Sequence, residues 1–457
     1  MKLNKLPQLQ RREFLRRASA LSVAGVATPW ALNLAAMGEA AAATSPGDHK
    51  ALVCVFLNGG NDHGNTLVPY DATSHAAYAT IRQTLATPRD ALTATALSQV
   101  IDGRQMALAP QFPKLKALWD AGKLGVQLNV GTLTQPTTLA QYKAKSVPLP
   151  PKLFSHNDQQ SLWQASTPEG AVSGWGGRMG DLFLSGNGTS TFTCINVSGN
   201  AVFLSGNHAS QYQVSTTGAV PINGISKALY GSAACSSALR SLITADREHW
   251  MEAEVTRVVK RSVDAQAMLS SALAGLPALG TAFDSSSLSA QLQMVAKLIA
   301  ARGALGAKRQ VFFVSIGGFD LHDQLVAKHP QLLKQIDDAM ASFHAATVEL
   351  GVANQVTAFT ASDFGRTLTS NGDGSDHGWG SHHFVMGGAV KGGRFYGTLP
   401  SVSVNGPDDV GQGRLLPTTS VDQLAATLAT WMGVPATDLP MVLPQIGNYS
   451  QRDLGYF

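Results

Sequence analysis

Ala51-Leu52-Val53-Cys54-Val55-Phe56-Leu57-Asn58-Gly59-Gly60-Asn61-Asp62-His63-Gly64-Asn65-Thr66 decides the fold. Its first seven residues are apolar without alternation, so a strand here must be covered on both faces, as in a parallel sheet. It then breaks into glycines that let the backbone turn sharply, and into polar side chains just beyond the strand end. Similar short apolar runs recur at Leu124 to Val130, Phe192 to Val197, Val311 to Ile316, Val356 to Thr360 and Phe384 to Gly387. Helical patterns lie between them: Pro113 to Ala121, one long stretch from Ser237 to about Leu273, Leu288 to Ala304, and Pro330 to Leu350. Such alternation predicts an α/β fold, a doubly wound, mostly parallel sheet with helices on both faces. In sheets of this kind the loops leaving the carboxyl ends of the strands build the site.

Composition narrows the class. Of the 457 residues, 44% are hydrophobic and 14% charged, too apolar for disorder and too mixed for a polytopic membrane protein. The net charge of +4 comes from the first 43 residues, where Lys2, Lys5, Arg11, Arg12, Arg16 and Arg17 face only Glu13 and Glu39. The remainder carries 28 charges of each sign and offers no electrostatic footprint for nucleic acid. Gln10-Arg11-Arg12-Glu13-Phe14-Leu15-Arg16, an apolar run from Ala18 to Met37 and Ala40 to Thr44 have the order of a twin-arginine (Tat) export signal. The reading is therefore a Tat signal over residues 1–43, with the Tat translocase as partner during export. The mature chain, residues 44–457, is then periplasmic or extracellular, without a stable membrane span after cleavage. It reads as a single domain, embellished by a loop-rich insertion over about 134–234.

Cys54 lies in an apolar run and reads as a buried thiol, while Cys194 and Cys235 could form one disulfide. There is no CxxC or Cys/His zinc spacing. Dinucleotide and phosphate loops are excluded by the lack of GxGxxG and GxxxxGK[ST], and an esterase elbow by the lack of GxSxG.

Three further clusters could carry chemistry. Gly317-Gly318-Phe319-Asp320-Leu321-His322 follows a strand, and in an extended segment Asp320 and His322 share a face, as ligands of a divalent metal would. The competing reading makes Asp320 a helix cap. Ala361-Ser362-Asp363-Phe364-Gly365-Arg366, Asp376-His377-Gly378 and Ser381-His382-His383 bring three histidines and two acids into one loop region. Arg366 could orient an anionic substrate through its planar fork. Phe154-Ser155-His156-Asn157-Asp158 offers Ser155 as a nucleophile beside His156, or alternatively as a helix N-cap.

Together these segments, with Asn65-Thr66-Leu67-Val68-Pro69, Gly174-Trp175 and Gly387-Gly388, resemble the exported bacterial family called domain of unknown function 1501. That family is placed with the alkaline phosphatases and sulfatases, and the resemblance implies their doubly wound fold with metal ions at the strand ends. It implies Asp62, Asp320, His322, Asp363 and His377 as metal ligands, joined by Asp376 and with His382 or His383 as substitutes. The implied ion is zinc or manganese, with calcium or magnesium as alternatives. Two departures stand out: the superfamily spaces the Asp320 and His322 equivalents four apart, and Phe364 replaces a histidine of the Ser-Asp-His-Gly signature. The implied function is an exported metal-dependent hydrolase of phosphate or sulfate esters, with a small anionic ester as substrate. Ser155, His156 and Arg366 are its catalytic candidates. The rival is a noncatalytic exported binding or assembly protein that keeps the fold.

Overall fold

A computed structural model describes residues 49–457; the leader segment lies outside them. Six strands carry the architecture: β1 (Lys50–Leu57), β2 (Leu124–Gly131), β3 (Cys194–Asn196), β4 (Arg309–Ile316), β5 (Val356–Ser362) and β6 (Ser381–Gly387). They belong to one ten-stranded sheet whose central order is β2-β6-β5-β1-β4-β3. β1 pairs in parallel with both β4 and β5, and β4 in parallel with β3, whereas β6 runs antiparallel to both neighbours. The sheet is thus mostly parallel. Every residue of β1 from Ala51 to Leu57 is buried, as the unbroken apolar run requires.

One face is covered by α1 (Pro113–Asp120), α4 (Ser287–Ala300) and α5 (Leu325–Glu349), the other by α2 (His156–Ala165), α3 (Trp175–Phe183) and α6 (Val421–Met432). Alternate residues of β1 divide between the two cores: Val53, Val55 and Leu57 on the first, Leu52, Cys54 and Phe56 on the second. A small sheet of Leu67–Pro69, Ala96–Ile101 and Arg104–Leu108 flanks this body. Among the described residues no helix is long and apolar enough to cross a membrane.

Local differences from the sequence reading have local causes. The long helix expected from Ser237 is two helices, Ala233–Thr244 and Trp250–Ala274, parted where Asp246-Arg247-Glu248 interrupts the apolar face. α5 begins five residues before Pro330, which stands inside the helix and forgoes the backbone bond that its nitrogen would have donated to the Val326 carbonyl. The Cys194–Cys235 disulfide does not form: Cys194 is buried, Cys235 exposed, and both are free thiols. The stretch 134–234 does more than decorate, since it supplies β3 to the main sheet and carries α2 and α3.

Acid is expected to destabilise this fold. Burial holds His63 and His329 down to about 4 and His383 to about 3, and lowers His382 as well. The unfolded chain takes up these four protons near pH 6.5, so it binds more protons than the fold as pH falls from there toward 4. Asp337 and Asp422 act oppositely, because burial raises both to about 6 and the fold protonates them first. The histidines outnumber them, so stability should fall on acidification by roughly 1 kcal/mol per pH unit for each proton in excess. Urea midpoints at pH 7.5 and 5 would check this, and a flat profile would refute it.

Candidate metal centre

The site gathers above the carboxyl ends of the central strands. Asn58-Gly59-Gly60 leaves β1, Asp320 and His322 lie in the loop after β4, and Asp363 and Arg366 follow β5. Asp376 and His377 come from the β5–β6 connection, which returns to pair Arg366 with His377 through an isolated bridge. His156 opens α2 from across the loops.

Two glycines make the crowding possible. Gly59 has φ +115° and a Cβ there would sit 2.4 Å from the Asp320 amide nitrogen, so only glycine lets the β1 loop touch the β4 loop. Gly60 has φ +85°, and its Cβ would stand 2.4 Å from the Phe364 ring. That ring fills the position where the family resemblance implies a histidine. It lies 4.8 Å from the His156 ring and 4.7 Å from the His377 ring, buttressing both. Gly60→Ala is therefore expected to cost about 1–3 kcal/mol by overpacking, and to displace Phe364 from both imidazoles. A thermal midpoint unchanged from the parent chain would contradict it.

Three imidazoles turn their Nε2 atoms inward. The His377 Nε2 lies 3.1 Å from Nε2 of His156, 2.9 Å from Nε2 of His322 and 3.2 Å from Oδ1 of Asp320. Oδ2 of Asp320 is 3.3 Å from His156 Nε2, and its Oδ1 is 3.0 Å from His322 Nε2. Every Nδ1 faces an oxygen acceptor instead: His377 donates to the Phe154 carbonyl at 2.7 Å, His156 to Asp363 Oδ2 at 2.6 Å, and His322 to Asp376 Oδ1 at 3.1 Å. Outward donation from Nδ1 leaves Nε2 of a neutral imidazole as the lone-pair atom. Lone pairs at about 3 Å repel, so a proton or a cation must sit between them. A cation held by His156, His377 and Asp320 resolves the first of these contacts.

The donor spacing suits such an ion. Around zinc, with bonds to nitrogen of ~2.0–2.1 Å, tetrahedral donors stand roughly 3.3 Å apart. His156, Asp320 and His377 each offer a ligand atom within 4.8 Å of the others. His322 adjoins through His377 and Asp320. Second partners that fix the ring of each ligating histidine are the usual support of a metal site.

Electrostatics favour the same chemistry. Burial pushes the Asp320 carboxyl up, but hydrogen bonding and charge from Arg366 outweigh this and hold it below the usual carboxylate range. Asp376 is likewise lowered: burial opposes, and Asn371 and His322 prevail. Desolvation lowers His377 and favours its neutral form. His156 is raised by its hydrogen bond to Asp363, against its burial. A cation at the centre would take the place of the His156 proton.

The structure brings His156, Asp320, His322, Asp363, Asp376, His377 and Arg366 together, in two layers. Asp363 does not face the centre, because its oxygens accept from the Gly59 amide, Gln160 Nε2 and His156. Asp376 sits behind His322 and accepts from Asn371. Arg366 spends four of its five donors within the protein, on Gly59 O, Asp320 Oδ1, Ser375 O and Ser375 Oγ. Its position is that of a brace for Asp320, with little left for an anion.

Four candidate residues do not join the centre. Asp62 is buried in an ion pair with Arg82 of the helix Ala72–Arg82. His382 and His383 lie inside β6, which begins three residues before the expected Phe384, so they are strand residues and not loop ligands. His382 Nδ1 accepts from the Asn129 amide, and His383 Nδ1 contacts Thr360 Oγ1 while its ring packs edge-on against Trp163. Ser155 is the N-cap residue of α2, but its hydroxyl donates to Asp158 Oδ2 at 3.1 Å. Sequence reasoning missed Gln160 and the Phe154 carbonyl, and offered His156 as a catalytic residue, whereas its Nε2 lies among the atoms that could hold a metal. The signal for Gln160 was present, since it stands four after His156 on one helix face.

A family model described as "Protein of unknown function (DUF1501)" matches residues 49–444. The chain belongs to the DUF1501 family. No curated protein matches it. Among solved structures, this DUF1501 protein is similar to the lipoteichoic acid synthase LtaP from Listeria monocytogenes, at 9% identity and a TM-score of 0.35, covering 90% of this chain and 81% of that one. It is also similar to the PsFucS1 sulfatase from Pseudoalteromonas sp., at 9% identity and a TM-score of 0.35, covering 89% and 73%. A mutant of the alkaline phosphatase PafA aligns at 10% identity with a TM-score of 0.28, covering 71% and 64%.

Proposed function

We propose that this protein is a metal-dependent hydrolase of phosphate or sulfate esters that acts outside the cytoplasmic membrane after Tat export. The convergence of three Nε2 lone pairs and the Asp320 carboxylate carries the reading. A divalent ion, zinc by the nitrogen-rich donor set, would supply Lewis acidity toward an ester oxygen. His156, His322, His377 and Asp320 would hold it, while Asp363, Asp376 and Phe154 fix the imidazole tautomers. Arg366 holds the Asp320 carboxylate in its ionised form. The engagement of Ser155 with Asp158 favours water over this hydroxyl as the attacking group. The phosphate or sulfate class follows from the resemblance of the strand-end motifs, not from the donors.

Elemental analysis of protein purified from the periplasm, with turnover of 4-nitrophenyl phosphate and 4-nitrophenyl sulfate, tests this. One bound transition metal per chain and ester turnover that Asp320→Asn removes are expected. Metal absent from the exported protein would overturn the reading. Phe364 and the largely engaged Arg366 favour the second reading, a noncatalytic exported binding protein. It would be supported by bound metal without turnover of either ester.

A further inference from the structure

Beside the metal donors lies a cavity of about 510 Å³, within the ~300–1,000 Å³ typical of small-molecule sites. One face of α2 forms its wall: Asn157, Gln160, Ser161 and Gln164 recur at the three- and four-residue spacing of a helix and all line it. The opposite wall comes from the strand ends, with Asn58 after β1, Ser315 on β4, and Ser198 and Asn200 after β3, over the apolar floor of Phe313. Gln160 links cavity and centre, because its Nε2 donates 2.7 Å to the same Asp363 oxygen that holds His156.

The lining is rich in amides and hydroxyls and contains neither lysine nor arginine; its one charged group is Glu169, exposed at the rim. Such a wall cannot attract an anion, and Glu169 would repel one. Much of its hydrogen-bonding capacity is unspent. The Asn58 and Asn200 side chains bond to nothing among the described residues, while Gln164 uses its oxygen on the Phe203 amide and keeps its NH₂ free. An amide group donates and accepts at one point, as does an alcohol, so a surface of amides matches a ligand covered with hydroxyls. An apolar ligand would leave those groups unpaired, and a charged one would lack a counterion.

We infer that the cavity binds a neutral, hydroxyl-rich unit, a saccharide, adjoining the ester that the metal centre would act on. This rests on the hydrolase reading only for the ester end; the sugar subsite stands on its own lining. Asn58 and Asn200 determine specificity and touch no metal donor.

Calorimetric titration of the full exported chain with neutral pentasaccharides of glucose, galactose, mannose, xylose and N-acetylglucosamine would test it. At least one should bind, and Asn58→Ala with Asn200→Ala should weaken it at least tenfold. Both side chains are free of internal bonds, so the fold should survive, which the thermal midpoint would verify. Asp320→Asn should leave sugar binding unchanged, so loss of metal chemistry is distinguishable from loss of the subsite. Binding of none of the pentasaccharides, undiminished binding by the double variant, or capture of a peptide in the same cavity would each overturn the inference.

Discussion

His377→Ala is expected to lower divalent-metal affinity by more than about a hundredfold, the largest chemical effect any single substitution here should produce. The Nε2 of His377 makes close contact with His156, His322 and Asp320 at once, so its removal opens the middle of the donor set. Removing a residue that only orients a ligand costs about 10–100-fold in affinity. Asp363→Asn and Asp376→Asn belong in that smaller range, because each carboxylate reaches the centre only through the Nδ1 of a histidine. Competitive titration with a zinc-sensitive chelator would rank the variants. The ranking His377→Ala worse than Asp363→Asn separates a true ligand from a brace. If all three variants bound zinc like the parent chain, the metal assignment would be abandoned.

The same ranking bears on what the sequence could disclose. The layered sheet was legible because seven buried residues in β1 leave no polar alternation, a signal set by burial on both faces. The meeting of the β4 and β5 loops was legible as well, since polar clusters following buried strands of a parallel sheet must share one edge. The order of layers within the cluster was not. Asp363 and His377 read alike as ligands in the string, and only the pairing of Asp363 with His156, 207 positions earlier in the chain, moves it behind the imidazole. His382 and His383 misled for a local reason: a strand start placed three residues late turned two buried ladder residues into loop ligands. Asp62 misled for a distant one, because its partner Arg82 sits in a helix whose composition gives no hint of a buried charge.

That pair supports the second large effect. Arg82→Met is expected to destabilise the fold by about 3–5 kcal/mol, the cost of leaving one member of a buried ion pair uncompensated. Asp62 and Arg82 are 2% and 0% exposed, so no water can replace the lost charge. Burial raises the Asp62 carboxyl, yet the Arg82 charge overrides it and the net shift is downward, which marks the carboxylate as ionised in the fold. Arg82 also donates to the Thr367 carbonyl at 3.0 Å and so ties the helix Ala72–Arg82 to the segment just beyond Arg366. The double variant Asp62→Leu with Arg82→Met should regain part of the loss, because an apolar pair of similar volume carries no desolvation penalty. It should not regain all of it, since the Thr367 carbonyl stays without its donor. Urea denaturation of both variants would measure the difference. Metal content checks the structural role of Asp62: Asp62→Asn should lower stability and keep zinc affinity, and lost zinc affinity at unchanged stability would contradict it.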